Sequence, residues 1–411
     1  MKTALLSLFM LISSAWCTIP VYNLHQASAL TKPHPGKTLI TGADQTEKYV
    51  PYLKGKRIGM VVNPSSRIAD KASVDSLKAL GLNIVKIFGP EHGFRGDASN
   101  GARVDDSVDP KTGIQVISLY GKNGKPGAKD LAEIDLMIYD LQDVGARYYT
   151  YLATLHRVME ACAENNKELL ILDRPNPNGY MVDGPVLDMK LKSGIGYHPV
   201  PIAHGMTVGE YAQMINGEGW MANGIKCRLK IIPVAHYKHS MPYTLPVHPS
   251  PNLNTQQSVL LYPSLCLFEG TVISQGRGTY FPFTVLGNPD LKGKYAFSFT
   301  PVSIKGMSET PLFQNETCYG LDLRKFNTDQ LIKSKRINLG WLLEMYKAYP
   351  YKEKFFDYKQ SKQIGNFDKL AGTTSLKEQI IAGKTEAEIR KSWEPQLGQF
   401  KRMRQKYLLY Q

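Results

Sequence analysis

Short, uninterrupted apolar segments alternate with helical patterns along the first half of the chain, and this alternation restricts its fold more than any other feature. The strand-like segments are residues 56–63, 83–88, 114–120, 134–140, 168–173 and 228–233. Helical patterns at residues 73–80, 150–165 and 207–217 separate some of them. Strands that are apolar throughout are buried on both faces, as in a parallel sheet covered by helices. We therefore predict an α/β fold with a Rossmann-like, doubly wound and mostly parallel sheet.

The composition changes near residue 235. Residues 242–289 are rich in Pro, Ser, Asn and aromatic residues, and the later part mixes strand and helix patterns. A chain of 411 residues is long enough for two ordinary cores. We predict a Rossmann-like catalytic domain over residues 37–235 and a smaller α+β auxiliary domain over residues 236–411.

The formal net charge is +14, and the basic residues are spread along the chain among acidic ones. Residues 400–406 form the one concentrated basic run, and no nucleic-acid motif accompanies it. We therefore expect no nucleic-acid partner.

The first residues, MKTALLSLFMLISSAW, combine an early lysine with an apolar run too short for a membrane span, as in a signal peptide. We predict a leader over residues 1–29 that ends at the small residues 27–29. Cys17 is a candidate lipidation site, although Trp16 before it disfavours lipidation. The expected location is periplasmic or secreted, with membrane contact only through a lipid on Cys17. We expect the remaining cysteines to be buried small hydrophobic residues, with their disulfide status left open by the sequence: Cys162, Cys227, Cys266 and Cys318.

Polar side chains follow four of the predicted strands at their carboxyl ends. In an open α/β sheet these ends meet at one edge, where ligands bind. A single Asp or Asn at such a point commonly caps a helix or shapes a turn, so the coincidence of four loops carries the prediction. The loops contribute Asn63, Arg67, Glu91, His92, Arg95, Asp140, Asp143, Arg147, Tyr149, Asp173, Arg174 and Asn176.

Several chemistries are disfavoured by what the loops lack. The loop after the first strand has no glycine-rich dinucleotide motif, and neither a P-loop nor a Gly-x-Ser-x-Gly elbow is present. The candidate metal ligands His92, Asp140, Asp143 and Asp173 lack a spacing that would place them around one ion. We therefore expect neither cofactor nor metal. Carboxylate acid/base chemistry remains, as in glycosidic bond cleavage.

Glu91 is the best candidate for the general acid because it follows a proline at the end of a buried strand. It lies beside His92 and near Arg95, which could tune its pKa in either direction. A purely structural ion pair with Arg95 is an equally good local interpretation. His92, Asp140 and Asp143 are the other catalytic candidates.

Several long strings resemble the exo-β-N-acetylmuramidases of the NamZ type. They are GPEHGFRG (89–96), YDLQDVGARYYTY (139–151), LDRPNP (172–177), IAHGMTVGEY (202–211), SPNL (250–253) and FEGT (268–271). The resemblance implies a secreted or periplasmic enzyme that removes terminal N-acetylmuramic acid from the non-reducing end of peptidoglycan fragments. It also implies a Rossmann-like catalytic domain with a smaller auxiliary domain, and it maps the acidic residue of the P-E-H-G string onto Glu91.

The roles of the other residues stay open at this point. Asp140, Asp143, Asp173 or the substrate's own acetamido group could act as partner to Glu91. The lactyl carboxylate of muramic acid could be clamped by Arg67, Arg147 or Arg174. We expect Tyr149 to face a sugar ring, with Asn63 and Arg95 also in contact with substrate. Asn176 and His204 would hydrogen-bond hydroxyl or acetamido groups.

Two other classes of protein fit parts of the pattern. One is a periplasmic binding protein for anionic amino sugars, and the other is a metal-dependent amidase or esterase of the cell wall.

Overall fold

The computed structural model describes residues 38–91, 93–95, 106–121, 124–356 and 366–411, and a large mixed sheet dominates these ranges. The strands in chain order are β1 (Arg57–Val62), β2 (Arg67–Ile68), β3 (Lys71–Ala72), β4 (Asn83–Gly89), β5 (Ser107–Val108), β6 (Gln115–Ser118), β7 (Leu136–Asp140), β8 (Glu168–Leu172), β9 (Arg228–Ile232), β10 (Val285–Asn288), β11 (Phe297–Phe299) and β12 (Cys318–Asp322). The helices are α1 (Thr46–Leu53), α2 (Ser73–Ala79), α3 (Ala128–Leu131), α4 (Tyr151–Glu164), α5 (Val208–Gly217), α6 (Gln256–Leu265), α7 (Asp329–Ser334), α8 (Gly340–Ala348), α9 (Phe367–Ala371), α10 (Ser375–Ile381) and α11 (Glu386–Gln405).

The seven strands of this sheet run in the order β5-β6-β4-β1-β7-β8-β9 across the described residues, with only β5 antiparallel to its neighbour. Numbered along the chain, the six parallel strands have the 3-2-1-4-5-6 order of dinucleotide-binding folds. The predicted fold class is therefore confirmed.

Both faces of the sheet are buried, as the continuous apolar strands predicted. Within β1, Ile58, Met60 and Val62 belong to one apolar cluster together with residues of α1 and α2. Val61 points to the other face and joins a larger cluster that includes α4 and α5. The alternation follows from the two-residue period of a strand.

A smaller antiparallel sheet, in the order β10-β12-β11, lies in the second half of the chain with helices α7 to α11. Residues 39–411 form one compact unit. The division near residue 235 stays a prediction.

The six predicted parallel strands and helices α2, α4 and α5 are present, with ends that differ by about two residues at most. Helix α6 was not predicted, because Pro263 and a polar composition hide its pattern. Its capping box explains why it forms: the Thr255 side chain accepts a hydrogen bond from the Ser258 N–H at 3.0 Å. Helix α11 is the longest helix among the described residues and runs from Glu386 to Gln405.

The leader and Cys17 lie outside the described residues. Within those residues, no helix is both long and apolar enough to cross a membrane. The other four cysteines are buried, as expected, and each is a free thiol in the structure.

Candidate active site

A cavity of about 100 Å³ lies beside the carboxyl ends of β4 and β6, at the start of α4. The opposite wall comes from the second half of the chain, between α6 and β10. The residues that line the cavity include two glutamates, an arginine and several aromatic side chains: Glu91, Tyr120, Tyr148, Tyr149, Thr150, Tyr151, Tyr262, Glu269, Arg277, Phe283 and Leu370.

This position differs from the ligand site of dinucleotide-binding folds, which lies where the strand order reverses. In this sheet that point is between β1 and β7, and the loop after β1 closes it with its own hydrogen bonds. The Asn63 side-chain oxygen accepts a bond from the Ser65 N–H at 2.9 Å, and the Ser65 hydroxyl accepts one from the Gln142 N–H at 3.2 Å.

Glu91 is placed on the cavity wall by a tight turn after β4. Pro90 begins the turn and Gly93 closes it, with the Gly93 N–H bonded to the Pro90 carbonyl at 3.0 Å and a φ of 75° that favours glycine. Glu91 is 8% exposed. The Thr150 hydroxyl donates to its carboxylate at 2.9 Å. Together with burial, the charge of Glu91 and a hydrogen bond to it raise the pKa of Tyr120 to about 12.

A group of tyrosines forms most of the remaining wall. Tyr148 and Tyr149 each pack edge to face against Tyr262, with ring centroids 5.5 and 6.1 Å apart. The Tyr149 hydroxyl donates to the Pro249 carbonyl at 2.8 Å. Burial raises the pKa of Tyr149 well above its usual value, so the wall stays uncharged. Such a surface presents flat apolar rings with a few fixed hydroxyl groups.

Glu269 and Arg277 form a buried ion pair on the opposite wall. The Arg277 Nε donates to Glu269 Oε1 at 2.7 Å, and Nη2 contacts the same oxygen at 2.6 Å. The loop that carries Arg277 turns at Gly276 and Gly278, whose φ angles are 82° and 80°. Neither of these charged residues was predicted as a site residue from the sequence. A glutamate directly after the apolar residues 265–268, inside the FEGT string, was the available signal.

Asp140 and Arg174 bind each other away from the cavity. The Arg174 Nε donates to the Asp140 carboxylate at 2.6 Å, and its Nη2 donates to the Arg67 carbonyl at 2.7 Å. Both side chains of the pair are buried. The side chain of Arg174, one of the arginines considered for the lactyl carboxylate, is thus engaged in this pair, whereas Arg67 contributes only its backbone carbonyl.

Asp143, Asn176 and His204 also lie in a polar region away from the cavity lining. The Asp143 carboxylate accepts the Gly145 N–H at 2.6 Å and lies 3.6 Å from the His204 Nε2. The Asn176 side-chain amide donates to the Met206 carbonyl at 2.9 Å. These contacts hold loops together.

Asp173 is completely buried and accepts several hydrogen bonds. The Thr207 hydroxyl donates to it at 2.7 Å, the Tyr410 hydroxyl at 2.6 Å and the Gly209 N–H at 2.8 Å. Burial nevertheless raises the pKa of Asp173 to about 6. This carboxyl group ties the start of α5 and the region of Tyr410 to the end of β8.

Asn63 and Arg147 contact lining residues without lining the cavity themselves, and Arg95 belongs to an ion pair with a residue outside the lining. The Asn63 side-chain amide donates to the Tyr151 hydroxyl at 2.7 Å, and Arg147 Nη2 donates to the Leu370 carbonyl at 2.7 Å. Each therefore holds a lining residue in place. Arg95 pairs with Asp109, with Nη2 2.8 Å from the carboxylate.

Of the predicted site residues, Glu91 and Tyr149 are the two among the described lining residues, and His92 lies outside the described residues. The catalytic and substrate-binding assignments themselves stay predictions. Within the described ranges, no group of three His, Cys, Asp or Glu side chains is arranged to hold a metal ion.

Fold and cavity together define a Rossmann-like α/β protein with a tyrosine-walled site that contains two glutamates. Family models match almost all of the described chain: the N-terminal model of "Exo-beta-N-acetylmuramidase NamZ" matches residues 58–257 and the C-terminal model matches residues 260–410. The chain belongs to this family.

Known relatives agree with this assignment. The "Peptidoglycan beta-N-acetylmuramidase NamZ" of Bacillus subtilis (strain 168) is 38% identical over 378 residues, which cover 88% of this chain and 89% of that protein. Two crystal structures of DUF1343 family proteins from Bacteroides fragilis NCTC 9343 are also similar. One is 44% identical with a TM-score of 0.83, and the other is 28% identical with a TM-score of 0.75. Each alignment covers 91% of this chain and 99% of the other.

Proposed function

We propose that this protein is an exo-acting glycosidase that releases terminal N-acetylmuramic acid from the non-reducing end of peptidoglycan fragments. The observation that carries the proposal is Glu91, a buried carboxyl group on the wall of a small tyrosine-lined cavity in a chain of the NamZ family. A small cavity accommodates the terminal sugar of a chain better than a sugar in the middle of the chain.

In the proposed reaction Glu91 is the general acid. Its carboxyl group transfers a proton to the glycosidic oxygen as the bond from that oxygen to the anomeric carbon breaks, and positive charge develops on the sugar ring. Water then completes the hydrolysis at the anomeric carbon. The hydroxyls of Thr150 and Tyr120 hold the carboxylate of Glu91 in position.

The partner of Glu91 is proposed to be on the opposite wall or on the substrate. Glu269 is the second carboxylate among the described lining residues, and its negative charge would stabilise the developing positive charge. Asp140 and Asp173 are engaged by Arg174 and by Tyr410, and we assign them structural roles. The substrate's acetamido group remains the other candidate.

The decisive test compares the wild-type protein with Glu91→Gln on a chromogenic N-acetylmuramic acid glycoside and on its N-acetylglucosamine counterpart. We expect release from the muramic substrate alone, and a loss of about 10²- to 10⁴-fold in the variant. Glu133→Gln changes an exposed glutamate and serves as the matched control.

Failure of the wild-type protein to release product from either glycoside would contradict the proposal. If it bound N-acetylmuramic acid without turnover, the sugar-binding protein would replace the glycosidase. Release of peptide or acyl groups, lost with a chelator, would instead favour the amidase or esterase.

We also propose that the leader exports the protein to the periplasm or the medium. Membrane contact through a lipid on Cys17 is the alternative to cleavage at residues 27–29, because that cleavage removes Cys17. Cell fractionation and mass spectrometry of the mature N-terminus distinguish these outcomes. Recovery of the intact leader from the cytoplasm would contradict export, and a mature N-terminus after residue 29 would contradict the anchor.

A further inference from the structure

Arg277 uses only one edge of its guanidinium group in the ion pair with Glu269. Glu269 Oε1 takes the Nε and Nη2 side, at 2.7 and 2.6 Å. The buried Nη1 atom has no hydrogen-bond partner among the residues that the structure describes. A guanidinium group has five N–H donors in a planar fork, so the edge formed by Nη1 and Nη2 retains donors for a second planar acceptor.

This incomplete bonding is unusual for the location. Arg277 is 7% exposed, and a buried donor without a partner destabilises the folded state. The guanidinium plane is also fixed from the side, since its central carbon lies 5.0 Å from the centre of the Phe283 ring. The group is therefore both held in place and short of an acceptor.

We propose that the Nη1/Nη2 edge of Arg277 binds the lactyl carboxylate of the terminal N-acetylmuramic acid and thereby selects it over N-acetylglucosamine. This inference rests on the proposed function and adds the residue that recognises the substrate. Among the described residues that line the cavity, Arg277 is the one cationic side chain. The chemistry it recognises is a planar anion on an ether side chain of the sugar.

Two of the three arginines suggested by sequence are engaged elsewhere, and the third, Arg67, is not among the described lining residues of the cavity. Arg147 donates to the carbonyl groups of Pro185, Val200 and Leu370, and Arg174 is bonded to Asp140. The proposed carboxylate-binding residue therefore lies on the opposite wall of the cavity and not in the loops that follow the strands of the parallel sheet.

The test uses two substrates that differ in one charge: a chromogenic N-acetylmuramic acid glycoside and the same glycoside with its lactyl group as the methyl ester. Wild-type protein should hydrolyse the acid about 10- to 100-fold more efficiently, in kcat/KM, than the ester. In Arg277→Lys the positive charge beside Glu269 is kept but the planar edge is lost, so the acid should lose this advantage mainly through KM. The ester should change little.

Arg324→Lys is the matched control, because Arg324 pairs with Asp322 at 2.7 Å on an exposed surface outside the cavity. It should retain the wild-type preference. If Arg277→Lys folds poorly, calorimetric binding of N-acetylmuramic acid and its methyl ester to the double variant Glu269→Gln/Arg277→Gln gives the same comparison, and equal affinities are expected.

An unchanged preference for the acid in either variant overturns the role of Arg277 while the proposed function stands. A wild-type protein that hydrolyses neither the acid nor the ester overturns the proposed function and, with it, this inference.

Discussion

The ends of β4 and β8 are alike in sequence pattern and different in structure. Each strand is followed within two residues by a carboxylate that folding buries, Glu91 after β4 and Asp173 after β8. Glu91 lines a cavity. Asp173 is completely enclosed and accepts bonds from Thr207, Gly209 and Tyr410.

The difference shows that a carboxylate at the end of a strand is not by itself a site. What separates the two is the space beside each side chain. Near β4 the opposite wall leaves a cavity of about 100 Å³, whereas near β8 the Tyr410 hydroxyl donates directly to the carboxylate. A carboxylate with adjacent free space can meet a substrate, and one enclosed by donors stabilises or strains the fold.

The largest expected effect is a loss of catalytic activity when Glu91, but not Asp173, is substituted. Glu91→Gln should lower kcat by about 10²- to 10⁴-fold while the free energy of unfolding changes by less than about 1 kcal/mol. Asp173→Asn should show the reverse pattern, with near-normal kcat per folded molecule. Parallel assays and urea titrations provide the measurements, and an inactive but stable Asp173→Asn protein would erase the distinction.

The next effect is a pH dependence of stability from Asp173. In the unfolded chain this carboxyl group ionises near pH 4, whereas burial raises its folded pKa to about 6. Between these values the folded state holds more protons, so its stability falls as pH rises, by about 3 kcal/mol in total, and then stays level. Asp173→Asn lacks this loss, so its stability relative to wild type should improve by that amount from pH 4 to pH 7.

Asp135 provides a control because its contribution to stability changes with pH in the opposite direction. Hydrogen bonds from Arg57 lower the pKa of Asp135, so its contribution is lost as pH falls. Urea titrations of Asp173→Asn across pH 4 to 7 that ran parallel to wild type would show that Asp173 is not strained.

A smaller loss of stability is expected from Tyr410→Phe. The Tyr410 hydroxyl donates to Asp173 at 2.6 Å and accepts the Val234 N–H at 2.9 Å, so its removal takes one of several donors from Asp173 and leaves the buried Val234 N–H without its acceptor. We expect a loss of about 1–3 kcal/mol in the free energy of unfolding. Tyr351→Phe, at an exposed tyrosine, is the control. Equal stabilities of the two variants would mean that the hydrogen bonds of the Tyr410 hydroxyl do not stabilise the fold.

The smallest expected effect tests how Glu91 is held. Thr150→Val removes the hydroxyl that donates to Glu91 at 2.9 Å and should lower kcat by about tenfold. Thr150→Ser keeps the hydroxyl and should remain near wild type. Similar kcat values for the valine and serine variants would show that this bond does not position the acid.

Local pattern was sufficient to predict the sheet but not the second wall of the site. Apolar runs and helix signals act over a few residues, and they located all six parallel strands. Whether a polar residue is free or engaged depends on partners far along the chain. His204 approaches Asp143 from a separate loop, and Arg147 reaches Leu370 across 223 positions. No local periodicity records such partners.

The residues that line the cavity show the same limit of local sequence patterns. Tyr149 and Glu91 were identified because they follow predicted strands. Arg277 lies in a glycine-bounded loop with no strand before it, and Glu269 lies in a short 3-10 helix, Cys266–Gly270, after a helix that its proline concealed. The family strings contained Glu269, but only the fold brings it to the cavity with Glu91.

The bond between Asp173 and Tyr410 joins positions 237 residues apart. A chain cut after residue 235 would still contain the whole parallel sheet, yet Asp173 would lose one of its donors and the Val234 N–H would lack its acceptor. The parallel sheet is therefore not a module that can be transplanted or expressed alone at full stability. Any engineered version of this protein must carry the distant tyrosine with the sheet it closes.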